Sequence, residues 1–223
     1  MPNEILWLIF LIFDLCAVIL MFKLWGKHGL YAMIASSVIV CNIQVLVTVK
    51  MFGMVATLGN IVYASIFLST DILSECYGKK EARKGVWIGF FCLFWSMIAM
   101  QFAIRFIPDA SDFIMPHLKE IFSLLPRVSA ASLAAYLISQ HHDIWAFHFL
   151  KKRTEGKYLW LRNNLSTAVS QLIDSIVFTL GAFWGVFGSS ELLQIVVTTY
   201  LFKIVVAALD TPFIYLARKL KSA

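Results

Sequence analysis

Polar and charged side chains recur every three or four residues inside several apolar segments of this chain. One segment carries Asn60, Asp71 and Glu75, and another carries Gln171 and Asp174. This spacing places the side chains of each segment on one face of a helix. Because an ionisable group at bilayer depth is costly and usually faces a cavity or a partner, we predict one shared polar site. Its candidate residues are Asn60, Asp71, Glu75, Arg127, Gln171, Asp174 and Lys203.

The candidate set combines carboxylates, amides and cations with aromatic residues such as Tyr63 and Phe67. Aromatic faces stack on flat heteroaromatic rings. A carboxylate accepts two parallel N–H bonds, which matches the ring N–H and the exocyclic amine of a guanine-like base. Lys203 or Gln171 would then donate to a ring carbonyl. The composition is compatible with this ligand but does not select it. Polar stripes on membrane helices can instead have a purely structural role, in which they form hydrogen bonds between neighbouring helices.

The composition sets the class of protein that carries this site. The chain has 223 residues, of which 60% are hydrophobic and 14% are charged. A soluble domain of this length needs more charge to cover its surface, so the composition indicates a polytopic membrane protein. A helical span takes about 20 residues, which leaves no room for a soluble catalytic or ATP-binding domain. We therefore predict an all-α bundle of seven spans, at approximately 5–25, 29–52, 57–76, 85–107, 126–150, 163–187 and 191–217.

Loop charge predicts the orientation of the bundle. Clusters of Lys and Arg fall on alternate loops, such as 79–84 and 151–162, and again on the C-terminal tail. Cytoplasmic loops are enriched in these residues. With seven spans, the pattern predicts an external N-terminus and a cytoplasmic C-terminus in a bacterial inner membrane. The external stretch 108–125 is amphipathic, and we expect a short surface helix there.

The remaining motifs exclude several kinds of function. No H-E-x-x-H, G-x-S-x-G or Walker A sequence occurs, so we predict that the protein is not an enzyme and needs no cofactor. The four cysteines have no C-x-x-C spacing and are interpreted as small apolar residues. His141, His142 and His148 adjoin a basic loop without further ligands at a usual spacing, which favours interfacial histidines over a metal site. The net charge of +6 is explained by the basic loops, so no nucleic-acid partner is predicted.

Four blocks of residues resemble, in the same order along the chain, the queuosine precursor transporter family, which was long labelled a vitamin uptake family. The first block is Asn60–Glu75 followed by Tyr77-Gly78 and Lys79–Arg83. The other three are Arg127–Ser132 with Tyr136, Gln140 and Asp143; Asn164–Thr167 with Gln171 and Asp174; and Tyr200–Lys203 followed by Asp210-Thr211-Pro212. The resemblance covers roughly residues 29–217.

This resemblance implies import of a 7-deazaguanine intermediate of queuosine, typically the 7-cyano or 7-aminomethyl form, for tRNA modification. It also implies a six-helix core similar to the substrate-binding subunits of vitamin importers. We assign that core to residues 29–223 and an additional N-terminal transmembrane helix to residues 1–28. The implied acceptors for the base edge are Asp71, Asp174 and Glu75. The implied donors are Lys203 and Gln171, with Arg127 and Asn60 as supporting contacts.

Other functions remain open at this stage. The chain is also compatible with a vitamin or other nucleobase transporter, or with a membrane subunit that binds substrate and needs a separate energising partner. An intramembrane enzyme or a scaffold fits less well, because the charges are too many for a scaffold and no nucleophile–base motif accompanies them. The sequence does not specify the energy coupling, a homo-oligomeric state or the role of Asp14.

Overall fold

The computed structural model describes residues 2–51, 54–123, 126–185 and 188–222 of an α-helical membrane protein. Its helices are α1 (Asn3–Gln44), α2 (Asn60–Cys76), α3 (Lys79–Ala103), α4 (Met115–Ser123), α5 (Pro126–Arg153), α6 (Leu159–Phe183) and α7 (Ser189–Ser222). A two-stranded hairpin, β1 (Thr48–Met51) and β2 (Met54–Thr57), connects α1 to α2. Among the described residues, four helices are long and apolar enough to cross a membrane: α1, α3, α6 and Leu192–Lys221 of α7.

The helix α1 is a pair of segments that reverse direction at Gly26. The backbone of Gly26 has φ 57° and ψ −133°, which glycine adopts far more readily than other residues. Trp7 of the first segment and Gln44 of the second line the same apolar cavity, so the two segments run antiparallel. Gly26 therefore separates the segments that the sequence predicts as the spans 5–25 and 29–52. The first segment is buried in the common core through Leu11, Leu15 and Val18.

The second segment of α1 ends at Gln44, short of the predicted residue 52. The chain instead forms the antiparallel hairpin, in which Thr48 pairs with Thr57 and Met51 pairs with Met54. The residues after Gln44 include Val45, Val47, Thr48 and Val49. β-Branched side chains favour strands, and an apolar run does not by itself distinguish a helix from a strand. The prediction of a continuous span through residue 52 was therefore wrong.

The helix α2 is buried along almost its whole length, from Ile61 to Ser74, by α1, α3, α5 and α7. The helix α3 lies at the periphery and exposes Trp87, Phe91 and Trp95. Large exposed aromatic side chains of this kind are expected where a helix faces lipid. The central position of α2 brings its polar stripe against α5, α6 and α7.

The basic segments of the chain meet at one end of the bundle. Lys27 lies 3.0 Å from Glu81 at the start of α3. Lys151 at the end of α5 contacts Glu75 at the end of α2, and Lys221 of α7 donates to the carbonyl of Cys76. The end of the bundle that carries these residues is called the basic end below. The short helix predicted within 108–125 is confirmed as α4, which is largely exposed.

The reversal of α1 predicts a strict requirement for glycine at position 29. A Cβ atom at Gly29 would lie 2.1 Å from the carbonyl oxygen of Met21, a backbone atom that cannot move independently. We expect Gly29→Ala to lower the free energy of unfolding by about 1–3 kcal/mol, the usual cost of overpacking. Chemical unfolding of the purified protein in detergent measures this change. Ala32→Leu, on the exposed side of the same segment, is the control, and an equal loss in both variants would contradict the prediction.

Candidate functional site

A cavity of about 310 Å³ lies towards the end of the bundle opposite the basic end. Its wall is built by the last turns of α1, the first turns of α2 and α5, the last turns of α6 and the first half of α7. Polar wall residues are Asn42, Asn60, Tyr63, Ser132, Asp174, Thr199 and Lys203, and the aromatic residues Phe178 and Phe183 contribute two apolar surfaces. This size and mixture are typical of a site for one small organic molecule.

The floor of the cavity is an ion pair between Asp174 of α6 and Lys203 of α7. Tyr63 donates its hydroxyl to Asp174 Oδ1 at 2.6 Å, and Ser139 donates to the same oxygen at 3.2 Å. The Lys203 ammonium also lies 4.7 Å from the centre of the Tyr63 ring. These four residues, called the cavity floor below, come from four different helices. The carboxylate and the ammonium cancel, so the cavity floor has no net charge.

A second set of polar residues lies deeper, at Asp71. Asp71 follows Tyr63 by eight residues on α2, which is about 12 Å along the helix axis. Its carboxylate is buried and accepts a bond from Thr167 at 3.4 Å. Asp143 of α5 and Asp210 of α7 are close enough to interact electrostatically with Asp71. The three aspartates are called the carboxylate layer below. Asp71 does not line the cavity.

A third set surrounds Glu75 at the basic end. Arg162 of α6 lies 2.6 Å from Glu75, Lys151 of α5 lies at 2.8 Å and Arg218 of α7 at 3.7 Å. These four residues are called the basic-end cluster below. The side chain of Arg162 has no exposed area, although its sequence position suggests an ordinary basic loop residue. Arg162 also donates to the carbonyl of Gly156, which fixes the turn before α6.

The structure thus separates the seven predicted site residues by depth. Asn60, Asp174 and Lys203 line the cavity, whereas Asp71 and Glu75 lie in the two deeper sets. Gln171 is buried one turn from Asp174 towards the carboxylate layer. Arg127 lies at the cavity end, where it donates to the carbonyl of Gly181 at 3.0 Å and to that of Trp184.

Sequence reasoning missed the aromatic walls Phe178 and Phe183. Phe178 follows Asp174 by four residues and so shares its helix face, a signal that was available in the spacing. Phe183 lies at the last residue of α6, and no periodicity in the sequence marks it.

Comparison with known proteins gives a consistent result. Residues 57–217 match the family described as "Putative vitamin uptake transporter". A Bacillus subtilis protein named "Probable queuosine precursor transporter" is 41% identical over 99% of this chain and 96% of its own length. An Escherichia coli protein named "Queuosine precursor transporter" is 25% identical over 74% of both chains. A Haemophilus influenzae protein, also named "Probable queuosine precursor transporter", is 27% identical over 69% of this chain and 64% of its own length. No solved structure matches the chain.

The basic-end cluster predicts a large effect of removing its one carboxylate. Glu75→Gln leaves the buried Arg162 without a counter-charge, and breaking a buried pair in this way costs about 3–5 kcal/mol of stability. Chemical unfolding in detergent measures the loss. Glu120→Gln is the matched control, because Glu120 is 77% exposed and an exposed pair contributes at most about 1 kcal/mol. Similar losses in the two variants would show that Glu75 does not hold the cluster together.

Proposed function

Because this chain belongs to the queuosine precursor transporter family, we propose that it imports a 7-deazaguanine base through the cavity between α1, α2, α5, α6 and α7. The substrate is the 7-cyano or the 7-aminomethyl form, taken up for queuosine modification of tRNA. The observation that carries this proposal is the Asp174 carboxylate, which Tyr63, Ser139 and Lys203 hold at the floor of a cavity with aromatic walls.

Recognition of the base edge works by exchange of hydrogen bonds at Asp174. A carboxylate has about four acceptor positions, and Tyr63 and Ser139 occupy two of them on Oδ1. Lys203 takes a further position on Oδ2. When Lys203 turns to the ring carbonyl of the base, Oδ2 becomes available for one N–H of the base edge. The second, parallel N–H reaches Oδ1 when Ser139 gives up its longer bond there and donates to its other acceptor, the carbonyl of Tyr136. The ammonium stays paired throughout, because the carbonyl oxygen replaces the carboxylate as its acceptor.

The cavity walls supply the remaining contacts. Tyr63 and Phe178 provide ring surfaces on which a flat base can stack. Asn60 lies at the first residue of α2, where an amide supports polar edges of the ligand. The predicted base contacts of Asp71, Glu75, Gln171 and Arg127 stay predictions. Their side chains are outside the wall of this cavity, so such contacts require a movement of helices during transport.

We propose seven spans, formed by the two segments of α1 and by α2, α3, α5, α6 and α7. The division into an added helix at 1–28 and a six-helix core at 29–223, and its similarity to vitamin-importer subunits, are part of this proposal. The basic end faces the cytoplasm of a bacterial cell, because Lys and Arg are enriched there. The N-terminus is then external and the C-terminus cytoplasmic. The cavity lies towards the external side, and the basic-end cluster closes the cytoplasmic side.

Loss of the Asp174 carboxylate tests the site. We expect Asp174→Asn to weaken binding of 7-cyano-7-deazaguanine to the purified protein at least about tenfold, because hydrogen bonds to a charged group contribute about 1.5–3 kcal/mol. The wild type should prefer this base to adenine, whose edge lacks the matching donors, and the variant should lose most of that preference. Isothermal titration measures both affinities.

Two further variants separate binding from folding. Asp174→Asn combined with Lys203→Met removes both charges of the buried pair, so it should regain stability without regaining binding. Asp112→Asn changes an exposed loop residue and should bind as the wild type does. An unchanged affinity in the single variant would refute the assignment, and a preference for adenine or a vitamin would favour another substrate.

The orientation is tested by labelling single cysteines with a membrane-impermeant maleimide. The native cysteines, which are Cys16, Cys41, Cys76 and Cys92, are first replaced by alanine. Asp112→Cys should then react in intact cells, whereas Lys152→Cys should react only after the membrane is permeabilised. The opposite pattern would reverse the proposed orientation.

A further inference from the structure

Three carboxylates from three helices share the buried interior of the bundle. Asp71 and Asp210 are each 1% exposed, and Asp143 is completely buried. Asp143 is close enough to Asp71 and to Asp210 to interact electrostatically with both. Burial of an uncompensated ionised carboxylate costs several kcal/mol, so a cluster of this kind needs positive charge from some source.

The neighbouring cations are already engaged by other acids. Arg162 of α6 pairs with Glu75, and Lys203 of α7 pairs with Asp174. His142 of α5 makes its contact with Ser170 at 3.0 Å. The residues of α6 that face the carboxylate layer are neutral, namely Asn163, Ser166, Thr167 and Ser170. The buried acid of α1, Asp14, bonds to Ser65. Within the described part of the chain, no Lys or Arg forms an ion pair with the carboxylate layer.

The layer also has fewer hydrogen-bond donors than its six carboxylate oxygens could accept. Oδ1 of Asp71 and Oδ2 of Asp210 are buried and have no hydrogen-bond partner among the described residues. Neither oxygen of Asp143 has a partner with good hydrogen-bond geometry, although the hydroxyls of Ser166, Thr167 and Ser170 lie close to it. These hydroxyls are shared between acceptors, because Ser166 also donates to the carbonyl of Asn163, Ser170 to that of Ser166, and Thr167 to Asp71. Each hydroxyl has only one proton to donate, so the three cannot serve every orphan oxygen of the layer.

The neutral residue Asn163 also lacks a hydrogen-bond donor, which is a separate observation from the charge of the layer. The amide of Asn163 is fully buried and donates to Asp210 at 3.2 Å, yet its own oxygen has no donor. Asp71 and Asp143 lie within hydrogen-bonding reach of each other, and two carboxyl groups form such a bond only when one carries a proton. A proton therefore supplies part of the missing positive charge and one of the missing donors. A metal ion fits less well, because no three acidic, histidine or cysteine side chains in the described ranges are arranged to coordinate one.

We propose that Asp71, Asp143 and Asp210 form a proton-binding site and that its proton crosses the membrane together with the substrate. The proton enters a carboxylate oxygen from the external side and leaves the same site to the cytoplasm, so no covalent bond of the substrate changes. The layer lies between the cavity floor and the basic-end cluster on α2, because Asp71 follows Tyr63 by eight residues and precedes Glu75 by four. Proton loss would restore repulsion among three helices that otherwise pack closely. The inference rests on the proposed function for the identity of the co-transported base.

The test uses the full chain, purified and reconstituted in liposomes, with 7-cyano-7-deazaguanine as the probe. This base carries no charge, so any proton that it brings across is a proton of the carrier. With the exterior more acidic by one pH unit, one proton per base should raise the internal accumulation up to about tenfold. A trapped pH-sensitive dye should record acidification when the base is added. Exchange of labelled for unlabelled base without any gradient shows separately that the base is a substrate.

In Asp143→Asn and Asp210→Asn, a neutral amide imitates a protonated carboxyl group, so both variants should fold. We expect both variants to keep exchange but to lose accumulation and acidification. Exchange by the wild type without proton movement would overturn the inference while leaving the substrate assignment intact.

Infrared spectroscopy of the purified protein provides a readout that needs no substrate. The wild type at neutral pH should show a protonated-carboxyl band that Asp143→Asn diminishes. If the wild type does not exchange 7-cyano-7-deazaguanine, this base is not the substrate. The infrared band then tests the proton-binding site without any substrate. Absence of the band, or a band identical in the variant, would overturn the inference.

Discussion

A charge buried in this bundle needs a counter-charge inside the bundle, because neither lipid nor a packed protein interior solvates an ion. The three buried polar sets meet this constraint in three different ways. Glu75 is surrounded by three cations, Asp174 has one ammonium, and the carboxylate layer has none among the described residues. The first is suited to hold helices together, the second to exchange partners with a ligand, and the third to bind and release a proton.

Two of the sets, the cavity floor and the basic-end cluster, are built by the same four helices. Each of α2, α5, α6 and α7 contributes one residue to the cavity floor and one to the basic-end cluster. The floor is Tyr63, Ser139, Asp174 and Lys203, and the cluster is Glu75, Lys151, Arg162 and Arg218. The sequence numbers rise towards the basic end on α2, α5 and α7 and fall on α6. On each helix the two sets are separated by 12 to 15 residues, which is about 18–22 Å at 1.5 Å per residue.

The sequence predicted which helix faces carry the polar residues, but not at which depth each residue finds its partners. Periodicity places Asn60, Asp71 and Glu75 on one face of α2 correctly, since the angle between residues depends only on their spacing. It does not show that these residues meet three separate sets of neighbours, because that depends on how α5, α6 and α7 cross α2. Arg162 illustrates the same limit, as its burial depends on Glu75, which is distant in sequence. The β1–β2 hairpin was missed because the apolar composition of residues 45–57 fits a strand and a helix equally well.

In the proposed mechanism, the order of the sets along α6 gives a physical route from substrate binding in the cavity to opening of the basic end. Asp174 lies at the cavity floor, Thr167 and Asn163 contact the carboxylate layer, and Arg162 holds the basic-end cluster. A helix transmits a shift along its axis with little loss, because its backbone hydrogen bonds make it stiff. If the base displaces Lys203 from Asp174, the balance of forces on α6 changes at one end only. With its proton bound, the layer carries less negative charge and resists a movement of α6 less, whereas the fully ionised layer resists close packing of α2, α5 and α7. Substrate and proton would therefore act on the same rigid element, and neither would need direct contact with the other.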